Sequence, residues 1–310
     1  MKRQITNLLT SIIPVKSWRH LARSFVLGGG FSLLRKAKCP RVHLYQHSNF
    51  GDLLNHDLLR HLEVPYAVAP YQFADFCAIG SLLECTLNCK RNLYTKRTMH
   101  IFGSGFISAP TDPNEQFCRP VCIHALRGDL SRKRCEKMLG TSLADVPLGD
   151  PGLLIHRIFP NAVNSEKKYD VGIICHMADD PAALEGHLRL DGLSTVALDI
   201  TQQPEQFVPL LAECRFILSS AMHGLICADS LGIPNAHIVL GNNIKGGDYK
   251  FRDYYSAYEN VNHQPIHLLD TVLTAADIER LTAAYSVRTE EVEAICDRLE
   301  AAFPRKLFEK

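Results

Sequence analysis

The chain has 310 residues, of which 46% are hydrophobic and 22% are charged. These proportions are typical of a folded globular protein, so they exclude the disordered, collagen-like and low-complexity classes, and the length suits two domains. The formal net charge of +1 argues against a nucleic acid as partner.

A basic arm, residues 1–40, precedes the first strand-like run. Residues 1–51 contain nine Lys or Arg and no carboxylate, so the rest of the chain carries 25 basic and 33 acidic residues, a net charge of −8. Apolar residues interleave with the cations of the arm, and two interpretations stay open. It is an amphipathic helix docked on the body, or residues 1–38 make a peripheral contact with an anionic membrane.

No apolar run reaches the roughly 20 residues of a membrane-spanning helix, and no signal-peptide cleavage site follows the arm. We therefore expect a cytoplasmic protein, either free or at the inner face of the cytoplasmic membrane.

Residues 41–160 alternate apolar runs with helical patterns, which predicts an N-terminal Rossmann-like domain with a parallel sheet. The predicted strands are Val42–Gln46, Asp75–Gly80, Met99–Phe102 and Val121–Leu126. One helix begins at Asp52, and another spans Ser131–Leu139 with Gly140 as its C-terminal cap.

The polar stretch Phe159–Lys168 is a predicted interdomain linker, and a second alternation follows it over residues 169–270. Its predicted strands are Val171–Cys175, Thr195–Ile200, Phe216–Ser219 and Ala236–Leu240, and its predicted helices are Glu205–Cys214 and His223–Leu231. Residues 271–310 are predicted to be C-terminal helices. The fold class is therefore α/β, with two Rossmann-like domains facing a cleft, and ligands are expected beyond the carboxyl ends of the strands.

Three motifs of the first domain lie at such strand ends. In Asn49–Asp52, Gly51 permits close backbone approach, and Asp52 either caps the helix or serves as a base or a ligand of a sugar hydroxyl. Gly103-Ser104-Gly105 lacks the third glycine of a dinucleotide fingerprint but suits a tight loop against a ligand. Arg127 either pairs with a structural acid or binds an anion.

Two motifs of the second domain follow the same logic. Ser219–Gly224 places two hydroxyls, a histidine and free amides at the start of a helix, where an anion is favoured, and a phosphate there would keep His223 protonated. The glycine-rich segment Gly241–Asp248 precedes the cationic and aromatic cluster Tyr249–Tyr255, which favours a mobile loop that closes over substrate.

Taken together, the chain resembles the polysaccharide pyruvyl transferase family, most closely the branch that adds pyruvate ketals to exopolysaccharides. The segments that carry the resemblance lie in the family's order over roughly residues 42–260: Asn49–Asn55, Ala78–Leu83, Phe102–Phe106, Ala125–Gly128, Leu148–Leu154, Ser219–Pro234 and Lys250–Tyr255.

The resemblance implies a GT-B-like fold, phosphoenolpyruvate as donor, a saccharide acceptor that is free or lipid-linked, and no metal or other cofactor. It assigns catalysis to His223 and Asp52. The C-terminal domain is implied to be the donor side. The residues implied to bind the donor are Arg127 of the N-terminal domain and Ser219, Ser220, Gly224, Lys250 and Arg252 of the C-terminal domain. The N-terminal domain is implied to be the acceptor side. The residues implied to bind the acceptor are Asn49, Gly51, Asn55, Gly103 and Ser104 of that domain and Asp253 of the C-terminal domain.

One departure affects the donor site. Some members have Arg-Leu-His where this chain has Ala221-Met222-His223, so another cation must replace that arginine. Two other functions stay open, a GT-B-type glycosyltransferase that uses a nucleotide sugar and a non-catalytic saccharide-binding scaffold.

Overall fold

The computed structural model of the protein describes residues 39–45, 49–87 and 97–309. The basic arm, but for its last two residues, and the end of the first predicted strand at Gln46 lie outside the described residues. Within those ranges, no helix combines the length and the apolar character needed to cross a bilayer.

The described chain alternates strands with helices. The strands are β1 Arg41–His43, β2 Ala67–Val68, β3 Phe76–Cys77, β4 Met99–Phe102, β5 Val121–Ala125, β6 Tyr169–Ile174, β7 Leu188–Arg189, β8 Thr195–Ala197, β9 Cys214–Ser219, β10 Asn235–Val239, β11 Ile266–His267 and β12 Leu273–Thr274. The helices are α1 Phe50–His61, α2 Asp129–Leu139, α3 Ile155–Ile158, α4 Pro204–Ala212, α5 Met222–Ser230, α6 Tyr249–Tyr255, α7 Ala275–Ala284, α8 Thr289–Ala302 and α9 Arg305–Phe308.

Ten of the strands form two five-stranded parallel sheets of the same topology, and β7 and β12 pair in a separate two-stranded parallel sheet. The first has the order β2-β1-β3-β4-β5, and the second has the order β11-β10-β9-β6-β8. Counted from its own first strand, each sheet has the doubly wound order 2-1-3-4-5, in which the winding reverses beside that first strand. The predicted α/β class with two Rossmann-like halves is confirmed, and the reversal points are β1/β3 in one half and β6/β9 in the other.

Most predicted elements occur with shifted ends. Helix α1 begins at Phe50 rather than Asp52, because Asn49 is its N-cap and accepts a hydrogen bond from the Gly51 amide (2.9 Å). Gly140 is left-handed (φ 65°) at the end of α2, as predicted. The predicted mobile loop at Tyr249–Tyr255 is wrong, since this segment is a helix with Phe251 and Tyr254 buried in the core.

One hydrophobic core connects the two halves. Phe50 of α1 stacks on Phe207 of α4 with ring centroids 4.1 Å apart, and the Phe50 amide donates to the Ile200 carbonyl (2.8 Å). The C-terminal helices return to the first sheet, where Phe308 packs edge-on against Phe76 at 5.2 Å. The two halves are thus held together directly below the place where the reversal points meet. The domain limits at residues 160 and 270 stay a prediction.

Candidate active site

The reversal points of the two sheets face each other across an open cleft with about 650 Å³ of empty space. The first half contributes the segments after β1 and β3, and the second half contributes those after β6 and β9, as expected where doubly wound sheets bind ligands. The residues that line the cleft are Tyr45, Asn49, Asp52, Gly80, Ser81, Ile107, His176, Ile200, Ala221, Met222, His223 and Lys250. The predicted cleft between two Rossmann-like halves, a GT-B-like arrangement, is therefore present.

His223 lies in the first turn of α5 and packs against the backbone of α1. A Cβ atom built on Gly51 would lie 1.9 Å from His223 Nδ1, so only glycine leaves room for the ring. The Nε2 atom is buried, and no described residue offers it a hydrogen bond. The imidazole is thus fixed in place by Gly51, with one nitrogen left for a ligand.

The electrostatics keep His223 neutral in the free protein. Burial, together with the nearby charges of Lys250 and Arg127, lowers the pKa of His223 to about 3. An anion in the cleft would raise the pKa of His223, because an opposite charge favours the protonated form.

Asp52 and Lys250 line the cleft beside His223, and the pKa values of both side chains are shifted toward neutral pH. Burial raises the pKa of Asp52 to about 7, against the opposing effect of Lys250. Burial and the Arg127 guanidinium lower the pKa of Lys250 to about 8. An acid, a base and a cation of this kind in one cleft are what proton-transfer chemistry near pH 7 requires.

His176 is a cleft residue that the sequence analysis did not assign. It follows β6, and its amide donates to Ser220 Oγ (2.8 Å), while that hydroxyl donates to Asp179 Oδ2 (2.6 Å). Burial and Lys250 lower the pKa of His176. The sequence signal that could have found it is its position directly after the predicted strand Val171–Cys175.

Ser219, Ser220 and Gly224 of the Ser219–Gly224 motif shape the loop, while Ala221 and Met222 line the cleft beside His223. Ser219 Oγ donates to the Ala221 carbonyl (2.8 Å) and accepts from its amide (3.1 Å). A Cβ on Gly224 would lie 2.6 Å from Ser219 Oγ, so this glycine allows α5 to pack closely. Ser219, Ser220 and Gly224 are all buried and hold the segment that presents His223.

Arg127 and Asp253 were assigned to different substrates, but the structure joins them in one buried ion pair. Both side chains are fully buried, with Arg127 Nε 3.0 Å from Asp253 Oδ2. The same carboxylate accepts from the Ser131 amide (2.7 Å) and hydroxyl (2.6 Å), and Arg127 also donates to Ser81 Oγ (2.8 Å). The first alternative for Arg127, a structural acid as partner, is what the structure shows. Asp253 has no side-chain surface left for a sugar hydroxyl, which corrects its placement among the acceptor residues.

Three more residues of the predicted acceptor set are also structural. Asn55 is buried and exchanges hydrogen bonds with the backbone of Ile79 (3.0 and 3.1 Å). Ser104 Oγ is buried and donates to the Gly80 carbonyl (2.6 Å). Gly103 adopts φ +73° against Pro151. These three residues stabilise the loops of the cleft without lining it. Of the predicted acceptor set, Asn49 lines the cleft and Gly51 packs directly on His223.

Lys250 and Arg252 differ although they are two residues apart on α6. Lys250 is 7% exposed and lines the cleft, while Arg252 is on the exposed face of the helix. Since Arg127 is neutralised by Asp253, Lys250 is the uncompensated cation that lines the cleft among the described residues.

Comparison with known proteins agrees with the motifs. Residues 96–242 match the model of the family described as polysaccharide pyruvyl transferase, which confirms the resemblance. A protein of Acanthamoeba polyphaga mimivirus, given as an uncharacterized protein, is 32% identical over 120 residues, which are 37% of this chain and 41% of that protein. The match thus spans less than half the length of this relative.

Two solved structures are similar at low identity. A Klebsiella pneumoniae protein described as functionally uncharacterized has a TM-score of 0.40 and 13% identity, covering 73% of this chain and 92% of that one. The wall teichoic acid polymerase TagF has a TM-score of 0.41 and 10% identity, covering 99% and 94%.

Proposed function

From the match of residues 96–242 to the polysaccharide pyruvyl transferase family, we propose that this protein transfers pyruvate from phosphoenolpyruvate to a sugar diol. The product is a cyclic pyruvate ketal on a surface polysaccharide or exopolysaccharide, or on its lipid-linked precursor, and phosphate is released. The reaction is placed in the cytoplasm, where phosphoenolpyruvate is available. The observation that carries the proposal is the convergence of His223, Asp52 and Lys250 in one cleft.

The charge of the cleft supports this donor. Phosphoenolpyruvate carries about three negative charges, from a phosphate and a carboxylate. Lys250 supplies one cation, and His223 and His176 become cationic when an anion raises their pKa values. The histidines thus take the place of the arginine that some family members have before the motif histidine.

The mechanism follows from the same residues. Protonated His223 holds the donor phosphate and delivers a proton to the methylene carbon, which leaves a cation with oxocarbenium character at the neighbouring carbon. Asp52, in its ionised form, accepts the proton of the sugar hydroxyl that attacks there and stabilises the positive charge. The second hydroxyl displaces phosphate and closes the ring, its proton leaving with the phosphate. The pKa of about 7 leaves Asp52 half ionised near neutral pH, so it can serve as this base.

Turnover is tested by mixing the protein with phosphoenolpyruvate and glycans that contain hexoses or N-acetylhexosamines, and following inorganic phosphate by phosphorus NMR. Phosphate release that depends on the acceptor, with a ketal methyl signal in the product, is the expected result. Release with none of these acceptors counts against the proposal. Calorimetric titration with a nucleotide panel serves as the control, because a glycosyltransferase would bind a nucleotide sugar instead.

Of the two cations on α6, Lys250 is expected to contribute more to the affinity for the donor than Arg252 does. We expect Lys250→Met to weaken phosphoenolpyruvate binding by about 10- to 100-fold, the value of one charged hydrogen bond. Arg252→Met is the matched control on the same helix and should leave the dissociation constant within about twofold. Isothermal titration calorimetry measures both, and equal losses in the two variants would show that α6 does not present Lys250 to the donor.

Donor binding is expected to weaken as pH rises from 6 to 9. Asp52 gains negative charge through its pKa of about 7, Lys250 loses positive charge through its pKa of about 8, and His223 must take up a proton to bind an anion. All three effects have the same sign, so the complex binds more protons than the free protein. Calorimetry in two buffers of different ionisation enthalpy measures this proton uptake, and an affinity that is constant or increases with pH contradicts the assignment.

A further inference from the structure

A second cluster of titratable side chains lies outside the cleft, on the far side of α6. His237 is on β10, Asp248 precedes α6, and His263 lies in the segment before β11. One ligand atom of each residue points into a common space. None of these three side chains has a role in the proposed transfer reaction.

The distances within this cluster match those around a small cation. His237 Nδ1 is 3.2 Å from His263 Nε2, His263 Nε2 is 2.9 Å from Asp248 Oδ1, and His237 Nδ1 is 3.9 Å from the same oxygen. Bonds of about 2.0–2.1 Å in a tetrahedral site separate neighbouring ligand atoms by about 3.3 Å. The three distances between the ligand atoms, 2.9, 3.2 and 3.9 Å, lie around that value.

Hydrogen bonds within the cluster cannot satisfy all three ligand atoms. If His263 carries a hydrogen on Nε2, that single N–H must serve both His237 Nδ1 and Asp248 Oδ1. If His237 donates instead, the lone pairs of His263 Nε2 and Asp248 Oδ1 face each other at 2.9 Å. A divalent cation between the three atoms satisfies all of them at once.

The surroundings hold the two imidazoles in place for a metal ion. His237 is 4% exposed, and the side chain of His263 is 7% exposed, so both rings are enclosed by the protein. Stacking fixes the ring planes, since His237 lies 3.7 Å from Phe251 and His263 lies 4.7 Å from Tyr255. The Asp248 side chain is 37% exposed, which leaves access for a solvent molecule as fourth ligand.

We propose that His237, Asp248 and His263 form a binding site for a divalent transition-metal ion, with Zn²⁺ as the best match to two imidazole nitrogens and one carboxylate. The bound ion ties the start of α6 to the second sheet and to the segment before β11. Asp248 is two residues from Lys250, so the ion also fixes the helix that carries the cleft cation. No metal-ligand spacing marks this site in the sequence, because the three residues lie in separate segments.

The site is tested by titrating the metal-free full-length protein with Zn²⁺ and by following the d–d absorption of Co²⁺ added in its place. We expect one Zn²⁺ ion per chain to bind at micromolar or lower concentration, and the Co²⁺ d–d absorption to be that of a tetrahedral site. Asp248→Asn and His263→Gln should each weaken this binding by about 100-fold or more and remove the spectrum. His267→Gln is the matched control, since this histidine is exposed and nearby but outside the cluster, and it should bind as the wild type does.

Two results would overturn the proposal. One is the absence of any Zn²⁺ equivalent below about 100 µM, and the other is an equivalent that persists unchanged in both ligand variants. Circular dichroism of the metal-free variants separates loss of binding from loss of fold, and Asp248→Asn is nearly isosteric at a partly exposed position. The readout is metal binding, so it does not depend on the proposed transferase activity.

Discussion

Gly51→Ala is expected to lower turnover at least about 100-fold without unfolding the protein. Gly51 is in the first turn of α1, where alanine is the better helix former. The new Cβ would lie 1.9 Å from Nδ1 and 2.2 Å from Cγ of His223, so the imidazole must leave its position. A displacement of about 1 Å in a catalytic group is enough for such a loss.

The comparison with His223→Ala decides whether the effect passes through the histidine. If it does, the double variant Gly51→Ala/His223→Ala is no slower than His223→Ala alone, because both changes remove the same group. Gly140→Ala is the control, since its φ of +65° strains alanine but no atom lies within 4 Å. It should cost about 1 kcal/mol of stability and leave turnover unchanged. Full activity of Gly51→Ala would remove His223 from the mechanism.

Asp253→Asn is expected to destabilise the protein by about 3–5 kcal/mol, the usual cost of leaving one member of a buried ion pair without its partner. Arg127 would keep its charge in a fully buried position. The amide has one acceptor oxygen, so its NH2 group would face either the Ser131 N–H or the donors of Arg127 and cannot accept from them. Asp253 also anchors α6 to the start of α2, so the helix that carries Lys250 should loosen.

Urea unfolding of the wild type and the variant measures this loss. Arg288→Gln is the control, because Arg288 pairs with Glu291 at the surface (3.4 Å) and should change stability by less than about 1 kcal/mol. A midpoint of Asp253→Asn equal to that of the wild type would mean that the buried pair contributes little to the fold.

The parallel sheets and most of their strands could be predicted because apolar runs of the right length alternate with helical patterns. Asp52 and His223 were found because they lie in motifs within a few residues of the ends of predicted strands, and the carboxyl ends of the strands of a parallel sheet share one edge. The equal topology of the two sheets was not predictable, since strand order depends on long-range pairing that leaves no local pattern.

The roles of Arg127, Asp253, Lys250 and Arg252 show why the site was only partly predicted. All four are charged residues in motifs that match the family, and sequence alone does not tell which of them pair with each other. The α6 helix orients Lys250 toward the cleft and Arg252 toward solvent, and packing of Phe251 and Tyr254 sets this rotation. His176 was missed because it belongs to no motif with a chemical signature of its own.

The shared strand order has a consequence for how the cleft holds an anion. It brings the amino ends of α1 and α5 to the same space, as the lining residues Asn49, Asp52, Met222 and His223 show. Each helix end carries about half a unit of positive charge from its peptide dipoles, so the two together supply about one unit. Side-chain substitutions leave this backbone charge intact. The cleft should therefore retain a basal attraction for anions in every single-site variant, including those that stop the chemistry.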